Sequence, residues 1–257
     1  MIGSIRYHAD SHVGLKRSQN EDCYSIVELE SENASDEKRL VFAVADGIGG
    51  HEFGEIASRM ACERLSRLQG QEVPLESARC ETFLRALFFS IDLDLKRYAA
   101  LHPECLHMGT TLSCLVLNRD SAIVSHVGDS RIYRLRGGSM EQLTTDHTFV
   151  QEMIDMGEVT PGGAKHHPLR NVLTRAMGTQ ERLEEIDVFS FEVKSADRFL
   201  LCSDGLTDMV SGEAIASILN GGKDLESTAR ELMHAAIQNG GKDNVTLVAI
   251  DVNASKS

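Results

Sequence analysis

Four aspartates of this sequence stand beside short apolar runs that have the length of a β-strand: Asp46, Asp129, Asp204 and Asp243. The end of a strand is where a rigid sheet continues into a loop, so a carboxylate there can be held in a fixed position. Each aspartate alone is also compatible with an ordinary turn, because Asp before Gly is common turn chemistry. Asp46-Gly47, Asp204-Gly205 and Asp243-Asn244 together offer oxygen ligands only, which suits Mg²⁺ or Mn²⁺ rather than zinc or copper.

Two further features strengthen the prediction of a cation site. Glu21 and Asp22 are adjacent acids at the start of a strand-like segment, where they repel each other unless a cation joins them. Glycines follow two of the aspartates, as Gly47 and Gly205, and a glycine leaves room for a carbonyl oxygen or a water to approach a metal.

Signatures of several other chemistries are absent from the sequence. It contains no GxxxxGKS or GxxxxGKT phosphate loop, no GxSxG nucleophile turn and no HExxH zinc motif. No cysteine is followed six positions later by arginine, which excludes the phosphatase loop built on a cysteine nucleophile. The six cysteines have no CxxC spacing and lie mostly in apolar segments, so we interpret them as buried thiols of a cytoplasmic protein.

The net charge of −13, from 26 basic and 39 acidic residues, argues against two classes of partner. A sequence-independent binder of nucleic acid needs a surplus of Lys and Arg to neutralise phosphates. A polybasic membrane anchor needs the same surplus, and the apolar runs are far shorter than the roughly 18 residues of a membrane span. We therefore expect no nucleic-acid partner and no membrane partner.

Periodicity predicts the elements that position these acids. Segments rich in β-branched and aliphatic residues predict strands at 5–13, 22–29, 39–45, 110–117, 121–127, 131–136, 186–193, 198–202 and 244–251. Apolar residues at helical spacing predict helices at 80–101 and 225–237, and a third helix is predicted at 55–68, after a Gly-rich turn. Strands that follow one another closely predict hairpins, with residues 128–131 as one turn. Helices in separate blocks favour an α+β fold of packed layers, in a single domain over residues 1–257.

Six spaced motifs of the chain resemble those of the bacterial metal-dependent PPM-type (protein phosphatase 2C) Ser/Thr phosphatases. They follow the family's order, and they are Gly14-x-x-Arg17-x-x-Asn20-Glu21-Asp22, Ala45-Asp46-Gly47-x-Gly49-Gly50-His51, Gly109-Thr110-Thr111, Val127-Gly128-Asp129-Ser130-Arg131, Ser203-Asp204-Gly205-Leu206 and Asp243-Asn244. Any one motif would be a weak signal, whereas six in order are specific. The resemblance implies a four-layer α-β-β-α sandwich with two central antiparallel sheets.

The resemblance also implies which residues bind metal. Asp46 would bridge two divalent ions, Mn²⁺ or Mg²⁺, and the Gly47 carbonyl would complete one coordination shell. Asp204 and Asp243 would bind the first ion, and Glu21 would bind the second directly or through water.

Other roles follow from the same resemblance. Asp22 would be an outer acid that holds metal-bound waters, and Asp129 would help to hold a third, weaker ion. Arg17 would bind the substrate phosphate, since a planar guanidinium makes paired hydrogen bonds to phosphate oxygens. His51 is the candidate proton donor to the leaving group, and the alternative is a loop histidine that caps the following helix. Residues 146–176, which we call the flap, resemble the flap of bacterial members, and such loops gate or select substrate.

The implied activity is hydrolysis of phosphoserine and phosphothreonine in proteins by a hydroxide that bridges the two ions. The expected partners are phosphoprotein substrates, among them a bacterial Ser/Thr kinase and its targets. One alternative is a catalytically weak phosphoprotein-binding regulator, which predicts a lost metal acid or arginine, whereas every such position is filled. The other is a metal hydrolase of small phosphoesters, although the chain has no tryptophan and no evident aromatic cluster on which a base would stack.

Overall fold

A computed structural model describes residues 2–29, 39–48, 53–71, 73–74, 76–118, 120–165 and 167–254. The strands are β1 (Ile2–His12), β2 (Asp22–Leu29), β3 (Arg39–Ile48), β4 (Gly109–Thr110), β5 (Leu112–Leu117), β6 (Ser121–Val127), β7 (Arg131–Arg136), β8 (Ser139–Gln142), β9 (Asp187–Glu192), β10 (Arg198–Cys202) and β11 (Val245–Ala254). The helices are α1 (Gly54–Ser66), α2 (Ser77–Leu101), α3 (Phe149–Asp155), α4 (Pro161–Ala164), α5 (Asp204–Thr207), α6 (Gly212–Leu219) and α7 (Leu225–Gln238).

The strands form two sheets. The first sheet has the order β1-β11-β10-β7-β8, and the second has the order β2-β3-β5-β6-β9, with β4 paired to β3. Every pairing between these strands is antiparallel. The prediction of two antiparallel sheets is therefore confirmed.

Strand β3 shows how the layers arise. Phe42 and Val44 lie in a buried cluster shared with the first sheet, whereas Ala43 and Ala45 lie in a cluster with α1 and α2. Successive side chains of a strand point to opposite faces, so a strand that is apolar on both faces lies between two layers. On the outer face of the first sheet, a third cluster contains residues of α6 and α7. The order is thus helices, sheet, sheet, helices, which confirms the four-layer α-β-β-α sandwich.

The connection from β6 to β7 corrects one prediction, because it is not a hairpin turn. β6 pairs with β5 and β9 in the second sheet, whereas β7 pairs with β8 and β10 in the first. The chain therefore crosses between the sheets at residues 128–130, and this crossing carries Asp129. Gly128 has a φ of +109°, and a Cβ there would lie 2.5 Å from the Thr111 side chain, so only glycine fits.

Most other predicted elements are present with small shifts in their ends. The predicted strand 110–117 is two strands, β4 and β5, because Thr111 between them bonds to Asp46 instead. The sequence did not predict β8, α3 or α6, which have four, seven and eight residues and are too short for a clear period. Within the described ranges, no helix combines the length and the apolar character that crossing a membrane requires.

Candidate metal and phosphate site

The pairing of β2 with β3 brings two acids of the predicted set side by side. Asp22 is the Cα partner of Asp46, so the two side chains lie on the same face of the sheet. On β3 this is the face that carries Phe42 and Val44 toward the first sheet. The two carboxylates therefore lie just beyond the apolar layer between the sheets.

Ser203 connects Asp22 to the other sheet. Its hydroxyl donates to Asp22 Oδ2 at 2.7 Å and accepts the Thr246 N–H at 3.0 Å. Since Ser203 directly precedes Asp204, this contact places the start of α5 near Asp22. The other carboxylate oxygen, Asp22 Oδ1, is buried and has no hydrogen-bond partner.

Two threonines hold the backbone of Asp46. The Asp46 N–H donates to Thr111 Oγ1 at 2.9 Å, and the Asp46 carbonyl accepts the Thr111 N–H at 2.9 Å and the Thr110 hydroxyl at 3.0 Å. Thr111 Oγ1 also shares a hydrogen bond of 2.8 Å with the hydroxyl of Ser130. One buried threonine thus positions both the strand end at Asp46 and the crossing that carries Asp129. This gives the Gly109-Thr110-Thr111 motif a structural reason.

The acids raise one another's pKa. Burial raises the pKa of Asp46 and of Asp204 well above the usual value for aspartate, and the neighbouring carboxylates of the set raise both further. Burial likewise raises the pKa of Asp22 to about 6 and that of Asp129 to about 7. The carboxylates therefore repel one another where water screens them poorly. A cation bound among them would relieve this repulsion.

Arg17 lies beside these acids. Its Nη2 donates to Asp243 Oδ2 at 2.7 Å, and this hydrogen bond raises the pKa of Arg17. The side chain of Asn244 supports the loop, because it donates to the Gln19 carbonyl at 2.9 Å and accepts the Glu21 N–H at 2.8 Å. The guanidinium is exposed, so an anion arriving from solvent can reach it.

Glycines let the start of α1 lie against the site. A Cβ on Gly47 would lie 2.3 Å from the Gly54 carbonyl oxygen, and one on Gly54 would lie 2.7 Å from Glu21 Oε2. The Glu21 carbonyl accepts the Gly47 N–H at 3.1 Å and the Ser58 hydroxyl at 2.5 Å. The end of β3, the start of α1 and Glu21 therefore form one closely packed corner of the site.

The donor set fits a divalent cation. It offers carboxylate oxygens, and Asp22 Oδ1 is a buried oxygen that a bound ion or its water would satisfy. Among the residues that the structure describes, no three His, Cys, Asp or Glu side chains stand close enough to enclose an ion as they are. Asp22 instead accepts a hydrogen bond from Ser203, and Asp243 accepts one from Arg17. We expect the carboxylates to converge when a cation neutralises their repulsion.

Asp208 belongs to the same group of acids, although the sequence did not single it out. It lies one helical turn after Asp204, and it raises the pKa of both Asp204 and Asp129. From the flap, Asn171 Nδ2 donates to Asp208 Oδ2 at 3.2 Å, and Arg170 Nη2 lies 3.6 Å from the same oxygen. The spacing of four residues from Asp204 is the signal that would have identified it.

A cleft of about 540 Å³ lies between the acids and the flap, and its walls include Asp129, Asp204 and, from the flap, Lys165. The predicted residues that the structure brings together around Asp46 are Arg17, Glu21, Asp22, Gly47, Asp129, Asp204 and Asp243. Of these, Asp129 and Asp204 line the cleft. His51 lies outside the described residues, so its role stays a prediction.

The raised pKa values predict how the metal-free protein responds to pH. A carboxyl group whose pKa is higher in the folded than in the unfolded chain stabilises the fold when protonated, and this stability is lost as pH rises through the folded pKa. With Asp22 at about 6 and Asp129 at about 7, the Tm in a chelator should rise as pH falls from roughly 8 to roughly 6. Thermal unfolding followed by circular dichroism measures this, and saturating Mn²⁺ should suppress the trend. A Tm that falls over this range would contradict the prediction.

Comparison with known proteins gives consistent matches over nearly the whole chain. The family model described as protein phosphatase 2C matches residues 20–245. The serine/threonine phosphatase stp of Listeria innocua is 34% identical over 241 residues, which cover 93% of each chain. The crystal structure of serine/threonine phosphatase Stp1 from Staphylococcus aureus matches with a TM-score of 0.90 and 33% identity, over 98% of this chain and 97% of that one. The catalytic domain of the serine/threonine protein phosphatase PstP, in complex with 2 manganese ions, matches with a TM-score of 0.82 and 35% identity, over 97% and 99% of the two chains.

Proposed function

This chain belongs to the protein phosphatase 2C family, and on that premise we propose that it hydrolyses phosphoserine and phosphothreonine in proteins with bound Mn²⁺ or Mg²⁺. The observation that carries the proposal is the group of mutually repelling acids between the two sheets, with Arg17 beside it. In this proposal residues 1–257 act as one catalytic domain of which the flap is a part.

We propose five ligands for the two ions. Asp46 would hold both ions, and its central position is supported by the raised pKa, to which four other aspartates contribute. Gly47 would contribute its carbonyl oxygen, Asp204 and Asp243 would hold the first ion, and Glu21 would hold the second directly or through water. The close packing of Gly47 against Gly54 and Glu21 fixes the backbone that carries these groups.

Two further acids act around the ions. Asp22, whose Oδ1 has no partner in the fold, accepts hydrogen bonds from water at the site. Asp129, carried by the crossing between the sheets and close enough to Asp204 to raise its pKa, helps to hold a third, weaker ion.

The chemistry divides between the ions and the side chains. Two ions held by these residues would supply a hydroxide nucleophile near neutral pH. Arg17 donates paired hydrogen bonds to the phosphate oxygens, orients the phosphorus and stabilises the charge that develops on those oxygens. His51 donates a proton to the leaving Ser or Thr oxygen.

The proposed substrates are phosphoproteins, among them a bacterial Ser/Thr kinase and its targets, whose phosphorylation the enzyme reverses. We propose a cytoplasmic location because all six cysteines are free thiols, as is typical of proteins in a reducing compartment.

One experiment tests the function. A phosphothreonine peptide, a small aryl phosphate and a nucleotide are incubated with the protein in Mn²⁺, in Mg²⁺ and in chelator. We expect turnover of the peptide with metal and none with chelator. Hydrolysis of the nucleotide without the peptide would favour a small-phosphoester hydrolase, and binding of the peptide without turnover would favour a regulator. Turnover in chelator would contradict the metal mechanism.

Arg17→Ala should reduce kcat/KM for the peptide by about tenfold to a hundredfold, because a charge-assisted bidentate contact to phosphate is lost. Arg17→Lys should recover only part of this, since lysine lacks the planar fork. Steady-state kinetics measures both, and calorimetric titration should show Mn²⁺ affinity maintained. The exposed neighbour Lys16→Ala is the matched control and should leave kcat/KM unchanged. Equal effects of the variants at 16 and 17 would contradict a specific role for Arg17.

A further inference from the structure

Two of the six cysteines face each other where β2 contacts α1. Cys23 packs against the buried cluster that contains Cys62, and the pKa of each thiol is shifted by the other: Cys62 lowers that of Cys23, and Cys23 raises that of Cys62. The Cys23 thiol also donates to the Tyr24 carbonyl at 3.7 Å. Both cysteines are free, Cys23 is partly exposed on an edge strand of its sheet, and Cys62 is 4% exposed.

The two thiols are the middle of three contacts in a row. On one side the Ser58 hydroxyl donates to the Glu21 carbonyl at 2.5 Å, and on the other the hydroxyls of Ser25 and Ser66 are hydrogen-bonded at 3.1 Å. Successive contacts advance by two residues on the strand side and by four on the helix side. Two strand residues span about 6.7 Å and four helix residues about 6.0 Å, so the row stays in register. The flanking contacts therefore hold the two thiols opposite each other.

The helix lies close to the sheet at this point. Apart from Leu65, the buried residues of α1 are small, and Ala57 and Ala61 are fully buried. At the start of the helix, Gly54 lies so near Gly47 that a Cβ on it would be 2.8 Å from the Gly47 carbonyl carbon. A disulfide needs Cα atoms within about 7 Å of each other, and a helix seated this closely on a strand favours such an approach.

We propose that Cys23 and Cys62 form a thiol-oxidation site at which hydrogen peroxide converts the pair to a disulfide. The Cys23 sulfur, which solvent reaches, attacks a peroxide oxygen, so the O–O bond breaks, one water leaves and Cys23 becomes a sulfenic acid. The Cys62 sulfur then attacks the Cys23 sulfur, the S–O bond breaks and a second water leaves. The two thiols lose two electrons and two protons in all, and the peroxide accepts them.

The disulfide changes the site through the neighbouring contact. Cys23 is adjacent to Asp22, and Cys62 lies one turn from Ser58, which holds the Glu21 carbonyl. A disulfide holds its sulfur atoms closer than two contacting thiols do, so its formation draws β2 and α1 together and displaces the acids at the start of β2. Since a misplacement of about 1 Å can cost about a hundredfold in rate, we expect kcat/KM to fall by about tenfold. This consequence rests on the proposed function, whereas the disulfide itself does not.

The experiment follows the bond and the activity together. The full chain is treated with hydrogen peroxide, blocked with an alkylating agent and digested with trypsin. The two cysteines fall in separate peptides, 18–38 and 60–64, so we expect these peptides to appear joined, with two hydrogens lost. In the same samples kcat/KM for the phosphothreonine peptide should fall by about tenfold and recover with dithiothreitol.

Matched variants separate this site from other thiol damage. Cys23→Ser and Cys62→Ser should keep their activity in peroxide, and the neighbouring hydroxyl pair of Ser25 and Ser66 shows that this interface accepts such a pair. Cys114→Ala removes a third thiol that lies near Cys62, and it should respond to peroxide as the unmodified chain does.

The proposal is overturned if peptides 18–38 and 60–64 do not join while other cysteines oxidise, or if they join with kcat/KM unchanged. It is also overturned if the Cys23→Ser variant loses as much activity in peroxide as the unmodified chain does. A chain without phosphatase activity before oxidation would instead count against the proposed function. The joined peptides would still show whether the disulfide forms.

Discussion

Asp46→Asn should lower kcat/KM by about a thousandfold, which corresponds to about 4 kcal/mol of transition-state stabilisation. Asparagine offers one neutral oxygen in place of a charged carboxylate, so it cannot bridge two divalent ions. Kinetics on a phosphothreonine peptide measures the loss, and calorimetry should show weakened Mn²⁺ binding. The backbone contacts of Asp46 to Thr110 and Thr111 do not involve the carboxylate and should persist.

The same variant should have the opposite effect on stability without metal. The carboxylate of Asp46 is repelled by four neighbouring aspartates, and burial raises its pKa. Removing its charge should therefore raise the Tm of the metal-free protein. The charge destabilises the fold and is kept for metal binding. Asp120→Asn is the matched control, since Asp120 is exposed in the turn between β5 and β6. A fall in both activity and metal-free Tm would indicate that Asp46 is structural.

Among substitutions of alanine for the described glycines of the site, Gly205→Ala should be the most damaging. A Cβ on Gly205 would lie 1.9 Å from the Asn244 carbonyl oxygen, so either α5 or the start of β11 must move. Overpacking of this kind costs about 1–3 kcal/mol of stability. It also separates Asp204 from Asp243, since each is the chain neighbour of one clashing residue, and we expect a loss of about a hundredfold in kcat/KM.

Gly162→Ala in the flap is the matched control. A Cβ there meets nothing within 4 Å, and stability should change by no more than about 0.5 kcal/mol. Urea unfolding and kinetics measure both variants. Should Gly205→Ala retain its unfolding midpoint and its kcat/KM, the close contact between α5 and β11 would not be what holds the two ligands together.

Much of the fold follows from local patterns. Strand β3 lies where the sequence predicted a strand, and its apolar residues are buried on both faces. The helices α2 and α7 carry long apolar stripes, and both lie where the sequence predicted them. Local patterns suffice here because periodicity over ten or more residues reports which side of an element must be buried.

Local sequence patterns could not predict where Asp129 lies. Its neighbours β6 and β7 look like the two strands of a hairpin, yet they belong to different sheets. A strand's choice of partner depends on contacts far away in sequence, here the pairing of β7 with β10 and of β6 with β9. The local pattern could not distinguish a hairpin from a crossing between sheets, because both give the same alternation of apolar and polar residues.

The sequence by itself determined the types of chemical group, the layers of the fold and, by resemblance, the residues expected at the site. Only the tertiary structure decided that Asp22 lies beside Asp46, that Asp208 joins the group and that Arg17 contacts Asp243. These contacts join segments as many as 226 residues apart. They depend on strand register and on close approaches at Gly47, Gly54 and Gly205, which local patterns cannot express because they result from packing across the whole chain.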